Sequence, residues 1–124
     1  MNGRKLLIDS NIIIYLSQKL LMLDTFIGED DELFISDITY METLGFPFAN
    51  DKDKNYMRLL LNQFKRIALT DAIIEKTVLL KQSRKIKLPD AVIAVTAQVF
   101  DLQLITRNTK DFERMNITVT NPMD

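Results

Sequence analysis

The sequence contains no cysteine, no histidine and no tryptophan. Without cysteine there can be neither disulfides nor a thiolate metal site. Without histidine there is no imidazole base, no Ser-His-Asp triad and hardly any catalytic zinc site. An enzyme built from this alphabet has to work with carboxylates, lysines, hydroxyls or a hard cation. Long hydrophobic runs are missing too, and no apolar stretch approaches the ~20 residues of a membrane span. Met1 to Lys5 passes directly into an apolar run ending at Asp9, without the h-region and small-residue cleavage site of a signal peptide. These absences lead us to expect a soluble, cytoplasmic protein with no membrane contact. A large charge of one sign is also lacking: 16 Lys and Arg face 17 Asp and Glu, for a net charge of −1 and a pI near 5.4. Coating a nucleic acid by bulk charge is thereby disfavoured. A nuclease is not, because bound divalent cations can supply the local positive potential.

What is present is the composition of an ordinary globular protein, 47% hydrophobic and 27% charged over 124 residues. A chain of this length buries roughly two-thirds of its surface on folding, enough for one core, and one domain over residues 1–124 is expected.

Strand-like and helix-like segments alternate. Lys5-Leu-Leu-Ile-Asp9 reads as a buried strand. Ser10 or Asn11 should cap a helix through about Leu23, with Ile12, Ile13, Leu16 and Leu20 on its apolar side. Gly28 to Glu32 is a turn, and Leu33 to Ile35 a second strand. Ser36 or Asp37 caps a helix to about Leu44, ended by Gly45 and Pro47. Asp51 to Lys65 has helical spacing at Tyr56, Leu59, Leu60 and Phe64. Ile67 to Leu69 reads as a third strand, and Thr70 or Asp71 caps a helix through about Arg84. After a basic loop, Lys85 to Leu88, Pro89 suits the first position of a helix to Phe100 that is apolar nearly all round and therefore buried. Gln103 to Thr106 and Ile117 to Val119 read as strands four and five, separated by a loop or helical turn over Thr109 to Arg114. The tail after Thr120 is expected to fray. Alternation along the whole length predicts an α/β fold with a parallel sheet covered on both faces.

In such a sheet the strand exits share one edge, which is where ligands bind. Asp9 ends strand one there, and Thr106, Arg107 and Asn108 end strand four, with Asp111 one turn on. Glu42 lies two turns into the helix after strand two. Asp90 lies in the first turn of the buried helix, whose preceding loop must return to the same edge. Clustered carboxylates repel unless one is protonated or a cation binds. With no nitrogen or sulfur ligand in reach, the fitting cation is hard, Mg²⁺ or Mn²⁺, and such ions suit phosphodiester hydrolysis. Each acid also has a simpler reading. Asp9 could only cap the first helix, Glu42 could close a capping box with Thr39, Asp90 could only complement a helix dipole, and Asp111 could be surface.

Four blocks in order, Leu-Ile-Asp9-Ser-Asn11, Ile-Ser36-Asp-Ile-Thr-Tyr-Met-Glu42, Lys87-Leu-Pro-Asp90-Ala-Val-Ile-Ala94 and Leu-Ile-Thr106-Arg-Asn108-Thr-Lys-Asp111-Phe112, together resemble the PIN domain. Within that family they look most like the VapC-type toxins of bacterial toxin–antitoxin pairs. The resemblance implies a PIN-like three-layer α/β/α sandwich with a five-stranded parallel sheet in the order 3-2-1-4-5. It also implies Mg²⁺- or Mn²⁺-dependent cleavage of RNA, homodimerisation and inhibition by a small antitoxin. Carried over, Asp9, Glu42 and Asp90 match the family's metal-binding acids. The fourth position departs: many members have an acid where Asn108 stands, whereas here an Asp follows three residues later. Asn108 or Asp111 is then the fourth site residue, and Thr106 a hydrogen-bonding support to a carboxylate.

Lys81 to Lys87 holds four positive charges in seven residues. Arg84, Lys85 and Lys87, with Arg107, could guide RNA phosphates, and Lys110 and Arg114 could extend the patch; alternatively the cluster is a solvated helix end with cations at the C-terminal dipole. Gly28 to Glu32 lacks the ligand spacing of a calcium loop. Phe46-Pro47-Phe48 is either core edge or a surface for a partner. A receiver-type signalling domain would need adjacent acids after strand one and a phosphorylatable Asp ending strand three. A haloacid-type phosphatase would need an acid where Asn11 stands, and a Rossmann cofactor site would need a glycine-rich first turn. A PIN-shaped binding module without catalysis is the remaining alternative, distinguished by binding no cation at Asp9 and Asp90.

Overall fold

The computed structural model describes residues 3–123; the expectations for Met1 and Asn2 and for the last residue lie outside them. Five strands, β1 (Lys5–Ile8), β2 (Glu32–Ser36), β3 (Lys65–Ile67), β4 (Gln103–Ile105) and β5 (Val119–Thr120), form one sheet in the order β3-β2-β1-β4-β5. Every pairing is parallel. Five helices connect them: α1 (Ser10–Ser17), α2 (Asp37–Leu44), α3 (Asp51–Leu61), α4 (Asp71–Ser83) and α5 (Leu88–Phe100). The fold class and strand order are those implied by the sequence.

The period-two alternation of β1 builds the three layers. Leu6 and Ile8 point to one face, where they pack with Ile12, Ile13 and Leu16 of α1 and with Met57, Leu60 and Leu61 of α3. Leu7 points to the other face, against Ile93, Ala94 and Ala97 of α5 and against Phe112 and Met115. Helix α4 lies on this second side, its Ile73 packed with Val92 and Val95 of α5. Residues Ala91 to Ala97 of α5 are all buried, in accord with that helix's uniform apolarity.

The structure corrects several boundaries. Helix α1 ends at Ser17 rather than near Leu23, and Leu20 is exposed. Lys19 adopts a left-handed φ of 59°, with Lys19 N–H donating to the Leu16 carbonyl and Leu20 N–H to the Tyr15 carbonyl. This is a Schellman ending without its usual glycine, so no residue at this point marks the stop. In α3 the buried side is Met57, Leu60 and Leu61, whereas Tyr56 and Leu59 are exposed. The Leu59-Leu60-Leu61 run permits either phase, and packing on α1 selects one. Strand β3 lies at Lys65–Ile67, earlier than Ile67 to Leu69, and β5 at Val119–Thr120, later than Ile117 to Val119. Both are edge strands, where the apolar signal is weakest. At the β3 edge Lys65 pairs with Glu32 at 3.2 Å, and Arg66 pairs with Asp37 at 3.2 Å while its guanidinium covers the Tyr40 ring. Helix α5 begins at Leu88, one residue before Pro89, with Lys87 as its N-cap. After Thr120 the chain is held, because Asn121 Nδ2 donates to the Arg107 carbonyl and Met123 N–H to Asn121 Oδ1. Among the described residues no helix is long and apolar enough to cross a membrane.

Helix α5 also ends in a left-handed residue, Asp101 (φ 54°, ψ 53°), whose negative charge sits at the negative end of the helix dipole. Asp101→Gly relieves both penalties and should raise stability by about 1 kcal/mol, read as a higher urea midpoint. An unchanged or lower midpoint would contradict this account.

Candidate active site

Asp9 follows β1 directly and is the N-cap of α1, the simpler of the two roles its position allowed, in place of Ser10 or Asn11. Its backbone N–H donates to the Ile105 carbonyl at 3.0 Å, extending the β1–β4 ladder by one rung. The side chain is buried at 7% exposure. Oδ1 accepts the Ser10 N–H at 2.8 Å, and Oδ2 accepts the Thr106 hydroxyl at 2.8 Å and the Asn11 amide at 3.3 Å. Burial raises the pKa of Asp9, and the nearby charge of Glu42 adds to the rise; the hydrogen bonds from Thr106, Ser10 and Asn11 oppose it.

Thr106 is wholly buried at the exit of β4. Besides donating to Asp9, its hydroxyl oxygen accepts the Asn11 amide at 3.2 Å and the Asn108 N–H at 3.1 Å. One donor and two lone pairs are thereby all used. Asn11 completes the tie, its Oδ1 accepting the Arg107 N–H at 3.1 Å. The exits of β1 and β4 are thus laced together by side chains that also fix Asp9.

Glu42 projects from α2 and its Oε1 accepts the Ser10 hydroxyl at 2.8 Å. The capping box with Thr39 is not formed: Ser36 is the N-cap of α2, and Thr39 is fully buried one turn inside the helix, 3.3 Å from the Ser10 hydroxyl. Asp90 lies in the first turn of α5, so the loop before it does return to the edge where Asp9 stands. Its pKa is pushed up to about 6, first by desolvation and then by the charges of Asp9, Asp111 and Glu42, with Lys87 opposing. Asp111 sits in a 3-10 turn, Thr109–Phe112, and shares a groove with Asp90. Asn108 meets the same region through its backbone N–H, given to Thr106.

Asp90 thus feels the charges of Asp9, Asp111 and Glu42, and Asp9 feels that of Glu42; every donor on offer is an oxygen, the set a hard divalent cation takes. Among the described residues, however, no three acidic side chains stand close enough as placed to enclose a metal ion. Glu42 is turned to Ser10, and Asp9 Oδ2 to Thr106 and Asn11. Of the cations assigned to phosphate guidance, Arg84, Lys85 and Lys87 line the groove with Asp90 and Asp111. Arg107 does not; its guanidinium lies over the Tyr15 ring at 5.1 Å. Ser10 and Asn11, expected only as caps of the first helix, hold Glu42 and Asp9 instead. The available signal was a run of short polar side chains directly after a buried strand. A larger cavity of about 770 Å³ opens around Gln98, Asp101 and Gln103, at the start of β4 and away from the acids.

Ionising Asp90 costs stability in the fold. Well below pH 3.8 it is protonated in both folded and unfolded chains and the cost is absent; it sets in as pH rises from the ordinary 3.8 towards 6 and is complete above. Discounted for solvent screening at a half-buried site, the cost is about 1 kcal/mol. Asp90→Asn should therefore be more stable than wild type by about that much at pH 7.5 in chelator, the gap closing as pH falls below about 3 in urea unfolding. A gap that persists undiminished at about pH 3, or is missing at pH 7.5, would contradict this electrostatic assignment.

The PIN domain family matches residues 6–117. A chain of a toxin–antitoxin complex from Klebsiella pneumoniae is 37% identical, with 94% of this chain and 96% of that chain covered and a TM-score of 0.75. A chain of VapBC-1 from nontypeable Haemophilus influenzae is 26% identical, with 97% and 99% covered and a TM-score of 0.79. Comparison with curated proteins finds no match. With the strand order, the buried Asp9 and the acids at one sheet edge already in place, the match over residues 6–117 makes the chain a member of the PIN domain family.

Proposed function

We propose that this chain is the nuclease toxin of a toxin–antitoxin pair, a Mg²⁺- or Mn²⁺-dependent endoribonuclease. The observation that carries the reading is the convergence of Asp9, Glu42, Asp90 and Asp111 on one sheet edge, where the charges of the other three raise the pKa of Asp90 and that of Glu42 raises the pKa of Asp9. A buried Asp9 beside an Asp90 whose pKa is raised by desolvation and by the charges of Asp9, Asp111 and Glu42 is poor design for a passive surface and good design for holding a cation. Asp9, Glu42 and Asp90 would hold it, with Asp111 completing the set in preference to Asn108, because the Asp111 charge reaches Asp90. When bound, such an ion supplies Lewis acidity and a water acidified towards neutrality.

The residues of the chain do the positioning. Thr106 and Asn11 fix the plane of the Asp9 carboxylate by their bonds to Oδ2, and Ser10 fixes Glu42. Burial of Asp9 keeps water from one side of the site, which strengthens its pull on any positive charge. Asp90 stands on the most deeply packed helix, so its carbon skeleton cannot drift. A receiver-type role finds no support, since β3 ends at Ile67 and Asp71 lies in the first turn of α4.

The toxin assignment draws on the similarity to toxin–antitoxin complexes, and with it we propose a small antitoxin partner, a homodimer, one domain over the chain and a cytoplasmic location. Phe46, largely exposed, stacks edge-on against Phe48 at 5.5 Å, while Phe48 packs against the core. Of the two readings of this loop, Phe48 follows core edge and Phe46 a partner surface.

RNA cleavage measured with and without Mn²⁺ tests the reading. Wild type should cut only with the ion, and Asp9→Asn should lose at least about 100-fold in rate, the scale of a lost catalytic electrostatic contact. Equal cutting by both proteins, or cutting indifferent to chelator, would overturn it. Separately, Mn²⁺ at about 100 times its Kd should stabilise wild type by about 2.7 kcal/mol in thermal melts, and should stabilise Asp90→Asn much less. Equal stabilisation of the two would remove Asp90 from the cation site.

A further inference from the structure

We propose that the basic groove between the α4–α5 loop and the Thr109–Phe112 turn is the track for the substrate's phosphate backbone on one side of the cut, an inference that rests on the RNA-cleavage reading above. Five cations, Lys81, Arg84, Lys85, Lys87 and Lys110, line a groove of about 590 Å³. Asp90 and Asp111 stand in the same walls, so a strand lying in the groove passes the acids.

The charge here is local. The chain as a whole carries −1, yet this one cleft gathers five positive groups against two acids. Helix-dipole compensation accounts for only part of them. Lys81 and Arg84 sit at the C-terminal end of α4, where cations are favoured. Lys87 is the N-cap of α5, the end where a cation is disfavoured, and Lys110 comes from a separate segment of the chain. Two of the five have structural tasks: Lys81 Nζ donates to the Ile86 carbonyl and pins the loop, and Arg84 Nη1 reaches the Met115 sulfur at 3.7 Å. Among the described residues, Lys85, Lys87 and Lys110 form no ion pair and no side-chain hydrogen bond. They come from the two sides of the groove, the α4–α5 loop and the 3-10 turn.

Like charges held together at a pinned loop cost stability unless an anion visits them. Ile86 is the one apolar residue in the groove's lining, and the rest of its apolar surface comes from the stems of charged side chains, so it offers a peptide little beyond charge. A phosphodiester chain needs no more, since its contacts are made through charge and counterion release. The groove then adds affinity for phosphates flanking the scissile one and sets the direction in which the strand leaves the acids.

The test is binding of a labelled single-stranded oligoribonucleotide across a salt series, in chelator, to Asp9→Asn protein with and without Lys85→Gln, Lys87→Gln and Lys110→Gln. The triple exchange should weaken binding about tenfold or more near 0.1 M salt and flatten the slope of log K against log salt by about 2, at ~0.7 per lost phosphate contact. Unchanged affinity and slope would overturn the proposal. So would a triple variant that loses affinity for polyglutamate and keeps it for RNA, which would give the groove to an acidic peptide. If the triple variant melts early, the single exchange Lys85→Glu, on an exposed side chain without bonds, reads the same quantities. Binding is measured without turnover, so a wild type that fails to cut RNA would sink the nuclease reading while leaving the groove result to stand or fall by its own salt slope.

Discussion

The hydrogen bond from the Thr106 hydroxyl to Asp9 Oδ2 is the interaction on which the site depends. It joins the ends of two neighbouring parallel strands, β1 and β4, that lie almost a hundred residues apart in the chain. A carboxylate as buried as Asp9 would be costly without such partners. Thr106, Asn11 and the Ser10 N–H supply them, and in doing so set the direction in which its remaining lone pairs face. Removing the threonine hydroxyl would leave both the acid and the Asn108 N–H short of a partner, so the network is stable only when complete.

Around this tie the molecule carries opposed demands. Core packing is generous: β1 is buried on both faces, and α5 is buried along seven consecutive residues. The site spends part of that stability, holding Asp90 where its ionisation is disfavoured by desolvation and by three neighbouring acids. Such strain at a ligand-binding edge is common when function, rather than folding, fixes the side chains. The edge itself follows from topology, because right-handed crossovers deliver every strand exit to the same side of a parallel sheet.

Much of this was legible in the residues, and the exceptions are instructive. Strand β1, helix α5 and the caps at Ser36 and Thr70 announced themselves through continuous apolar runs and hydroxyls before helices. The α/β class followed from alternation alone, whereas the strand order came from the family resemblance. Helix α1 was read too long because Lys19 takes a backbone conformation that glycine normally marks. Of the face expected for helix α3, Leu60 and, just past its end, Phe64 are buried while Tyr56 and Leu59 are exposed, because three leucines in a row do not say which face is inside. The edge strands β3 and β5 were displaced by two residues, their side chains being half in water and chemically mixed. Within the site, the acids could be named one by one. The lacing by Ser10, Asn11 and Thr106 could not, since it depends on register between strands that only the folded sheet supplies.

The charged rim of β3 has a meaning for how such a chain survives its own synthesis. A wholly parallel sheet assembles from distant segments and is slow to close, and until it does, an unpaired strand margin can recruit another nascent copy. Lys65 and Arg66, anchored by Glu32 and Asp37, present that margin as a row of fixed charges. Backbone pairing at such a margin would have to strip water from these ion pairs, which disfavours edge-to-edge aggregation.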